Sequence, residues 1–545
     1  MGTRSGARLR FGAVALCVLA LGCALGCATR AEAAARGALP RVRVTQGLLE
    51  GVRTGHTVAF LGVPYAAPPT GANRWRAPQP VRPWRGVRPA QHFAPSCLQT
   101  LSPHGFGPWS NEYGVHGALS ENCLYLNVWA PAHPAHPLPV MVWIPGGAFI
   151  AGSGSVPIYD GEHLAAHGII VVTLNYRLGV FGFLTDPALA AEARRRHEPP
   201  GNWGLQDILA ALHWVRRNIG AFGGNPHEVT LAGQSAGAIA VQDLLASPLA
   251  RGLFERAIAE SGLPNSRLPN SPMHMPTLAA AEHAGTRFAD AKGARTPAAL
   301  RALPPAALST TAAPMTSPLI MPSVDGRLLP VSPEQLLAAG RFAPIPVLIG
   351  MNADENTGFR DNPVTLTRAA WNARLQRRFG ALAARFARLF PAHGPLARAR
   401  ALRAVRRDVG LAAIYHWSRL HQAHSHAPVY AYLWTHREPG PHARRWRVFH
   451  SSEIPYVFGT LNAATQRHFT PLDYAISRHM LHYWVNFIAT GNPNGAGLAH
   501  WPALTPGRMR IMRLGAHPAA QPILPPRVLR ALQAYLAAGG VAQLY

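Results

Sequence analysis

A short run in the middle of the chain, residues 229–245, constrains the fold more than any other. Residues 229–232 are apolar and β-branched, which is typical of a buried strand, and residues 238–245 have the apolar composition of a helix. Between them lies the glycine-flanked turn Gly233-Gln234-Ser235-Ala236-Gly237. A strand, a sharp turn and a helix in this order predict that the Ser235 hydroxyl projects into a cleft. A serine that only caps the helix is the alternative.

Strand and helix patterns alternate through the rest of the chain. Buried strands are predicted where apolar, β-branched runs occur, at residues 139–144, 168–174, 229–232, 346–350 and 429–433. Residues 205–219 repeat apolar side chains at helical spacing. This alternation predicts an α/β protein with a mostly parallel central sheet, flanked by helices on both faces. The Ala- and Pro-rich region from about 264 to 322 is interpreted as inserted helices and loops outside the sheet, of the kind that caps active sites.

The positive charge of the chain raises the question of a nucleic-acid partner. The 545 residues carry a formal charge of +27, with 48% hydrophobic and 14% charged residues. Lys292 is the single lysine, and the arginines are scattered without forming long tracts. No zinc-finger, P-loop or RNA-binding signature is present. We therefore predict no nucleic-acid partner and interpret the arginines as compositional bias, with an anionic cell envelope or acidic substrates as the alternative.

The first 35 residues have the pattern of a secretory signal peptide. Arginines at positions 4, 8 and 10 precede an apolar run at 11–28, and small-residue cleavage sites follow at 31–33 and 33–35. We predict export to the periplasm or medium, with residues 36–545 as one domain and no membrane span in the mature chain. A membrane anchor is one alternative. A lipoprotein is another, because Gly22-Cys23 and Gly26-Cys27 resemble lipid-attachment sites.

Cysteine usage agrees with export. The mature chain keeps only Cys97 and Cys123, and an isolated pair in an exported protein is most simply one disulfide. Such a bond would close a loop of about 25 residues and stabilise the fold by roughly 3 kcal/mol. Two free buried thiols are the alternative.

Several motifs together resemble the type-B carboxylesterase family, which includes cholinesterases and bacterial para-nitrobenzyl esterases. They cover roughly residues 41–510 and stand at 60–69, 120–128, 222–238, 483–487 and 491–494. The chain departs from the usual pattern at Asn122, where the family has an aspartate. The resemblance implies an α/β-hydrolase fold, a small-molecule ester substrate, hydrolysis through an acyl-enzyme intermediate, and no metal or organic cofactor. The sequence carries no signal for an oligomeric state.

A serine hydroxyl needs a histidine base, and that histidine needs a carboxylate to fix its tautomer. In α/β-hydrolases the acid and then the histidine follow the serine in the chain. Glu355 is the acid that the family motif implies, with its neighbour Asp354 as the alternative. His450 opens the segment 450–459 that resembles the family's histidine region. The predicted catalytic residues are therefore Ser235, Glu355 and His450.

The resemblance also implies supporting residues. The glycine-rich loop 143–149 resembles the family's oxyanion loop, so the backbone N–H groups of Gly147, Ala148 and Ala236 are the implied oxyanion donors. Further implied roles are a supporting shell behind the acid and two scaffold contacts, a disulfide and an ion pair. These involve Ser261 with Glu453, Cys97 with Cys123, and Arg74 with Glu121.

Two other functions are weighed against a general carboxylesterase. Trp109 lies between the two cysteines, in the loop where cholinesterases carry a choline-binding aromatic side chain that acts by cation–π contact. Its spacing does not match cleanly and the positive charge of the chain would repel a cation, so we interpret Trp109 as a loop or rim residue. A non-catalytic binding protein of the same fold is the second alternative, but such proteins typically lack one of the three catalytic residues.

Overall fold

The computed structural model describes residues 2, 39–102, 105–262, 275–308, 317–359, 363–505, 507 and 509–541. The predicted signal peptide at 1–35, except Gly2, lies outside these residues. The strands of the described chain are β1 Arg41–Val44, β2 Gly47–Glu50, β3 Val52–Thr54, β4 Thr57–Pro64, β5 Val87–Pro89, β6 Ser96–Cys97, β7 Leu119–Ser120, β8 Tyr125–Pro131, β9 Leu138–Ile144, β10 Ile170–Leu174, β11 Gly224–Gln234, β12 Arg256–Glu260, β13 Val347–Asn352, β14 Val429–Trp434, β15 Arg510–Leu514 and β16 Ala519–Pro522. Eleven of them form one sheet in the order β16-β15-β14-β13-β12-β11-β9-β10-β8-β4-β3. Strands β1, β2 and β5 form a small second sheet, and β6 and β7 pair separately.

The helices lie between these strands and against both faces of the sheet. They are α1 Glu162–Ala166, α2 Gly179–Phe183, α3 Pro187–Arg195, α4 Trp203–Asn218, α5 Ala236–Ala246, α6 Leu278–Ala291, α7 Pro297–Ala302, α8 Pro305–Leu308, α9 Pro333–Ala338, α10 Arg368–Phe379, α11 Ala383–Leu389, α12 Pro395–His424, α13 Ala443–Trp446, α14 Ile454–Phe458, α15 Pro471–Thr490 and α16 Pro526–Ala537. Short 3-10 turns occur at Gly71–Asn73, Asn111–Tyr113, Pro157–Tyr159, Ile219–Phe222, Pro248–Ala250, Gly380–Leu382 and Leu461–Ala463.

The centre of the large sheet is parallel. Strands β10, β9, β11, β12, β13, β14 and β15 pair in parallel, and antiparallel pairs occur only towards the two edges among the described strands. Each of the five strands predicted from apolar runs is present, and the helix predicted at 205–219 is α4. The predicted mostly parallel sheet flanked by helices is therefore confirmed.

The apolar core has two parts, one on each face of the large sheet, because successive side chains of a strand point to opposite faces. In β9, Val142 and Ile144 pack into the cluster that contains helices α4, α5 and α12, whereas Met141 and Trp143 pack into the cluster with α14 and α15. Both faces of β9 are therefore apolar, which explains why the strand has a continuous hydrophobic sequence. Because parallel strands end at the same edge, the residues that follow β9, β11 and β13 are brought together at one end of the sheet.

The predicted insertion between residues 264 and 322 contributes no strand in its described part. Its described residues form α6, α7 and α8 between β12 and β13, and residues 263–274 and 309–316 lie outside the description. Met321, near its end, lines the cavity discussed below.

Candidate active site

Ser235 lies at the sharp turn between β11 and α5. Its backbone has φ 58° and ψ −123°, a conformation that costs energy for a residue with a side chain. The turn persists because its surroundings fix it: the Ser235 N–H donates to the Glu260 carbonyl oxygen at 2.8 Å. A side chain on Gly237 would collide with the Ile144 carbonyl oxygen, so glycine is required where α5 passes β9. The serine is 9% exposed and lines a cavity of about 280 Å³.

His450 and Glu355 meet beneath this cavity. His450 Nδ1 lies 2.5 Å from Glu355 Oε2, and both side chains are buried. The second carboxylate oxygen, Oε1, accepts from the Asn352 backbone N–H at 2.6 Å. Glu355 is thus held by the turn after β13 while it contacts the histidine. Because Nδ1 faces the carboxylate, Nε2 is left on the side of the cavity that Ser235 also lines.

Gln234, the residue before the serine, also contacts the histidine. Its Nε2 lies 3.1 Å from His450 Nε2. When the His450 Nδ1–H group donates a hydrogen bond to Glu355, His450 Nε2 carries no proton and is an acceptor. The Gln234 amide then donates to it. Sequence reasoning missed this residue, although it stands inside the Gly-Gln-Ser-Ala-Gly motif.

The loop after β9 presents backbone N–H groups to the same cavity. Gly147, Ala148 and Ala236 all line it together with Ser235. Gly147 has φ 113° and Ala148 has φ 55°, and this left-handed stretch turns the loop sharply. The N–H groups of Gly147 and Ala148 donate to no acceptor within the described residues, and the first N–H groups of a helix such as α5 have no partner inside the helix. These donors are therefore available to an anion.

The cavity wall is largely apolar. Its aromatic and aliphatic members include Phe106, Trp109, Tyr113, Val115, Phe149, Val156, Tyr159, Ile239, Met321 and Phe359. No aspartate, glutamate, lysine or arginine is among the described residues that line it. An apolar wall around a few convergent polar groups is the usual form of a small-molecule site.

Comparison with known proteins assigns the chain to a family. A profile of the carboxylesterase family matches residues 38–529. This chain belongs to the carboxylesterase family. The esterase is 39% identical over 488 residues to the fumonisin B1 esterase of Sphingopyxis macrogoltabida, covering 87% of this chain and 86% of that protein. It is 35% identical to the cocaine esterase of Homo sapiens (84% and 82% covered) and 34% identical to the acetylcholinesterase of Bungarus fasciatus (88% and 83%).

Membership settles the fold and the reaction class. The α/β-hydrolase fold predicted from the motifs is confirmed, and so is the predicted activity, because the family and the esterases among its relatives hydrolyse carboxylic esters. The esterase is therefore a carboxylic ester hydrolase. Within the described residues no helix is long and apolar enough to cross a membrane, and no group of three or more metal-ligating side chains occurs.

A buried polar shell stands behind Glu355 in the esterase. Asn352 Nδ2 donates to Glu453 Oε2 at 2.5 Å and to the Phe449 carbonyl oxygen at 2.7 Å, so it ties the end of β13 to the segment that carries His450. Ser261 Oγ donates to Glu453 Oε1 at 3.5 Å, at the outer limit of a hydrogen bond. The structure thus brings Ser261 and Glu453 together as predicted, but Asn352 makes the shorter contact.

A second buried carboxyl, Glu260, belongs to this shell. Its Oε1 accepts from Trp484 Nε1 at 2.7 Å. Burial raises the pKa of Glu260 to about 8. Burial also raises the pKa of Glu453 well above its usual range, and the charges of Glu260 and Glu355 raise it further. Both carboxyls are therefore stabilised as neutral acids.

Trp109 lines the cavity and contacts the histidine. Its indole N–H donates to the His450 backbone carbonyl oxygen at 3.0 Å. Its ring lies edge-on to the His450 ring at 6.4 Å between centroids and at 4.5 Å from the Phe359 ring. Trp109 is half-buried and supports the loop that carries His450, a contact that the sequence did not indicate.

The two implied scaffold contacts are present. Cys97 and Cys123, 26 positions apart in the chain, form a disulfide. Two residues after Cys97, Gln99 exchanges hydrogen bonds with Gly152 at 2.9 and 3.0 Å, which ties the disulfide loop to the end of the glycine-rich loop. Arg74 pairs with Glu121 through two contacts of 2.6 and 2.7 Å.

Proposed function

We propose that the esterase uses Ser235 as nucleophile, His450 as general base and acid, and Glu355 as the carboxylate that orients His450. The observation that carries this proposal is the 2.5 Å contact between His450 Nδ1 and Glu355 Oε2, made at the cavity that Ser235 lines. The contact fixes the tautomer in which His450 Nε2 carries no proton and can act as the base.

The reaction proceeds in two acyl-transfer steps. Ser235 Oγ attacks the ester carbonyl carbon while His450 Nε2 takes the hydroxyl proton, and Glu355 stabilises the imidazolium. The N–H groups of Gly147, Ala148 and Ala236 stabilise the oxyanion. His450 then protonates the leaving alcohol. A water molecule, deprotonated by His450, releases the acid from the acyl-enzyme. Apart from the substrate and this water molecule, every group used in these steps belongs to the protein.

The cavity favours neutral esters. Its wall is aromatic and aliphatic and holds no carboxylate within the described residues, so a cationic alcohol group would meet aromatic faces but no opposite charge. Cation–π contact with Trp109 or Phe359 alone is worth about 0.5–2 kcal/mol. We therefore propose a general carboxylesterase in preference to an enzyme for cationic esters. The complete set of catalytic residues argues against a non-catalytic binding protein.

We also propose that the esterase is exported and that residues 36–545 form one catalytic domain. The leader pattern at 1–35 supports export, as does the disulfide, because such bonds persist in oxidising compartments. The family match from residue 38 to 529 supports a single domain. The N-terminal peptide of the purified protein, identified by mass spectrometry, distinguishes cleavage near residue 35 from lipid attachment at Cys23 or Cys27.

Replacement of the nucleophile tests the mechanism. Ser235→Ala should abolish turnover of a para-nitrophenyl ester, and a fluorophosphonate probe should label the parent protein at Ser235 but leave the variant unlabelled. Ser102→Ala is the matched control, because Ser102 lies at the exposed rim of the same cavity. It should keep turnover and labelling. Retained turnover by Ser235→Ala, or labelling at another serine, would contradict the proposal.

A further inference from the structure

A second cavity, of about 880 Å³, is lined by an unusual number of arginines. We call it the arginine groove, and its six arginines are Arg400, Arg403, Arg407, Arg437, Arg447 and Arg513. Helix α12 contributes three of them at spacings of three and four residues, which places them on one helical face. The cavity that Ser235 lines, called the ester cavity below, shares none of its described lining residues with the groove.

Arginines outnumber carboxylates among the described residues of the groove. Two of these residues are carboxylates, and each has an arginine partner: Asp354 pairs with Arg447 at 3.2 Å, and Asp408 with Arg407 at 2.8 Å. The other four arginines form no ion pair with any residue that the structure describes. The groove therefore carries a clear excess of positive charge.

Crowding of these cations is visible at Arg403. Burial lowers the pKa of its guanidinium, and the neighbouring cations Arg447 and Arg400 lower it further, whereas Asp354 raises it. Its Nη1 donates to the Pro363 carbonyl oxygen at 3.4 Å. Like charges held together in a partly dry site repel one another, and an anion between them would relieve this repulsion.

The arginines of the groove lie at different depths, unlike arginines scattered over an exposed surface. Arg400, Arg437 and Arg513 are exposed at its rim, whereas Arg403, Arg407 and Arg447 are half-buried inside it. Apolar residues such as Leu411, Leu433 and Ile523 form part of its wall. A concave site with cations at several depths suits a compact ligand better than a long polymer, which would need the charges spread along an open surface.

We propose that the arginine groove binds a small anion with two or more negative charges, carried by phosphate or carboxylate groups. The planar guanidinium group matches both kinds of oxyanion through paired N–H···O bonds. Concave cationic sites also concentrate anions from solution. The ligand would lie beside the Arg447–Asp354 pair, outside the ester cavity.

Calorimetric titration with pyrophosphate and, separately, with citrate tests this proposal at constant ionic strength. The full-length protein should bind at least one of the two with a stoichiometry near one. The triple variant Arg400→Gln/Arg403→Gln/Arg513→Gln should bind about tenfold more weakly or worse. Binding of pyrophosphate alone would identify a phosphate site, and binding of citrate alone a polycarboxylate site.

A matched control separates the groove from the total charge. Arg82→Gln/Arg85→Gln/Arg251→Gln removes the same charge from exposed positions outside the groove and should bind as the parent protein does. The double variant Arg400→Gln/Arg513→Gln changes only exposed side chains, so it remains informative if the triple variant fails to fold. Absence of binding to both anions, equal weakening in the control, or unchanged binding in the groove variants would overturn the proposal.

Discussion

Glu355→Gln is the most informative single substitution at the active site, because both oxygens of Glu355 accept hydrogen bonds. Oε2 faces His450 Nδ1 at 2.5 Å and Oε1 faces the Asn352 N–H at 2.6 Å. A glutamine offers one acceptor oxygen and one donor NH₂ group. In either orientation of the amide, one of the two contacts therefore sets a donor against a donor.

Each orientation is damaging. If the amide oxygen stays with Asn352, the NH₂ group faces Nδ1, and His450 must carry its proton on Nε2, where it cannot accept the Ser235 proton. If the oxygen turns to His450, the buried Asn352 N–H loses its acceptor, at about 1–3 kcal/mol. The imidazolium also loses its counter-charge, about 4 kcal/mol at a separation of roughly 4 Å and an effective dielectric constant near 20. Together these terms predict a fall in kcat of about 10⁴-fold or more.

Steady-state hydrolysis of a para-nitrophenyl ester measures this loss, and Asp354→Asn is the matched control. Asp354 precedes Glu355 but faces Arg447 at 3.2 Å in the arginine groove, so its amide variant should keep kcat within about tenfold of the parent value. Thermal melting verifies that both variants fold. If Glu355→Gln kept more than about a tenth of kcat, or if Asp354→Asn lost as much as Glu355→Gln, the assignment of the acid would be wrong.

Two further predictions concern the surroundings of the site. Trp109→Phe keeps an aromatic ring but removes the N–H donor to the His450 carbonyl oxygen; we expect kcat for a para-nitrophenyl ester to fall about fivefold, the value of one hydrogen bond, with little change in KM. Glu260 has a folded-state pKa of about 8, so its contribution to stability is present below the unfolded pKa near 4.5 and is lost as the pH rises towards 8. Thermal melting between these pH values should show Tm of the parent protein falling more than Tm of Glu260→Gln.

Both predictions have controls. Phe106→Leu changes another aromatic side chain of the cavity wall, one that stacks on Trp109 without a hydrogen bond to the histidine, and it should alter KM more than kcat. An unchanged kcat in Trp109→Phe would show that the hydrogen bond does not position His450. For Glu260, the control is Glu282→Gln, a surface carboxylate paired with Arg194. Parallel Tm curves for the parent protein and Glu260→Gln would contradict the burial argument.

The parts of the fold that sequence reasoning predicted are those encoded locally. Strands β9, β10, β13 and β14 and residues 229–232 of β11 are largely apolar because helices cover both faces of the sheet, and the turn at Ser235 is marked by glycines that its close packing requires. The chain order of serine, acid and histidine in α/β-hydrolases then limited the candidates for the acid and the histidine to residues after Ser235. By contrast, the bond from Trp109 to His450 joins residues 341 positions apart, and no local pattern encodes such a contact.

Asn352 holds residues of the site in place, although the motif that assigns Glu355 did not predict this role. It stands three residues before Glu355 at the end of β13, in a run where the family motif assigns a role only to a carboxylate. Its importance comes from having two functional groups at one point: the backbone N–H holds Glu355, and the side-chain amide holds Glu453 and the Phe449 carbonyl oxygen. Only the folded chain reveals that both sets of contacts lie around His450.

The clustering of arginines in the groove could not be predicted from the sequence either. Arg447 and Arg513 belong to segments far from α12 in sequence, and the arginines are scattered along the chain, so no local pattern indicates that they line one cavity.

The proximity of three buried glutamates limits how much negative charge the site can hold. Glu260, Glu355 and Glu453 lie close enough to influence one another, and three ionised carboxylates in one apolar core would repel strongly. Burial favours the protonated form of Glu260, and burial together with the charges of Glu260 and Glu355 favours the protonated form of Glu453. Neutral carboxyls can still accept the hydrogen bonds from Trp484 and Asn352 that hold the surrounding segments together. The site thus keeps a polar framework around Glu355 and His450 without two further buried negative charges.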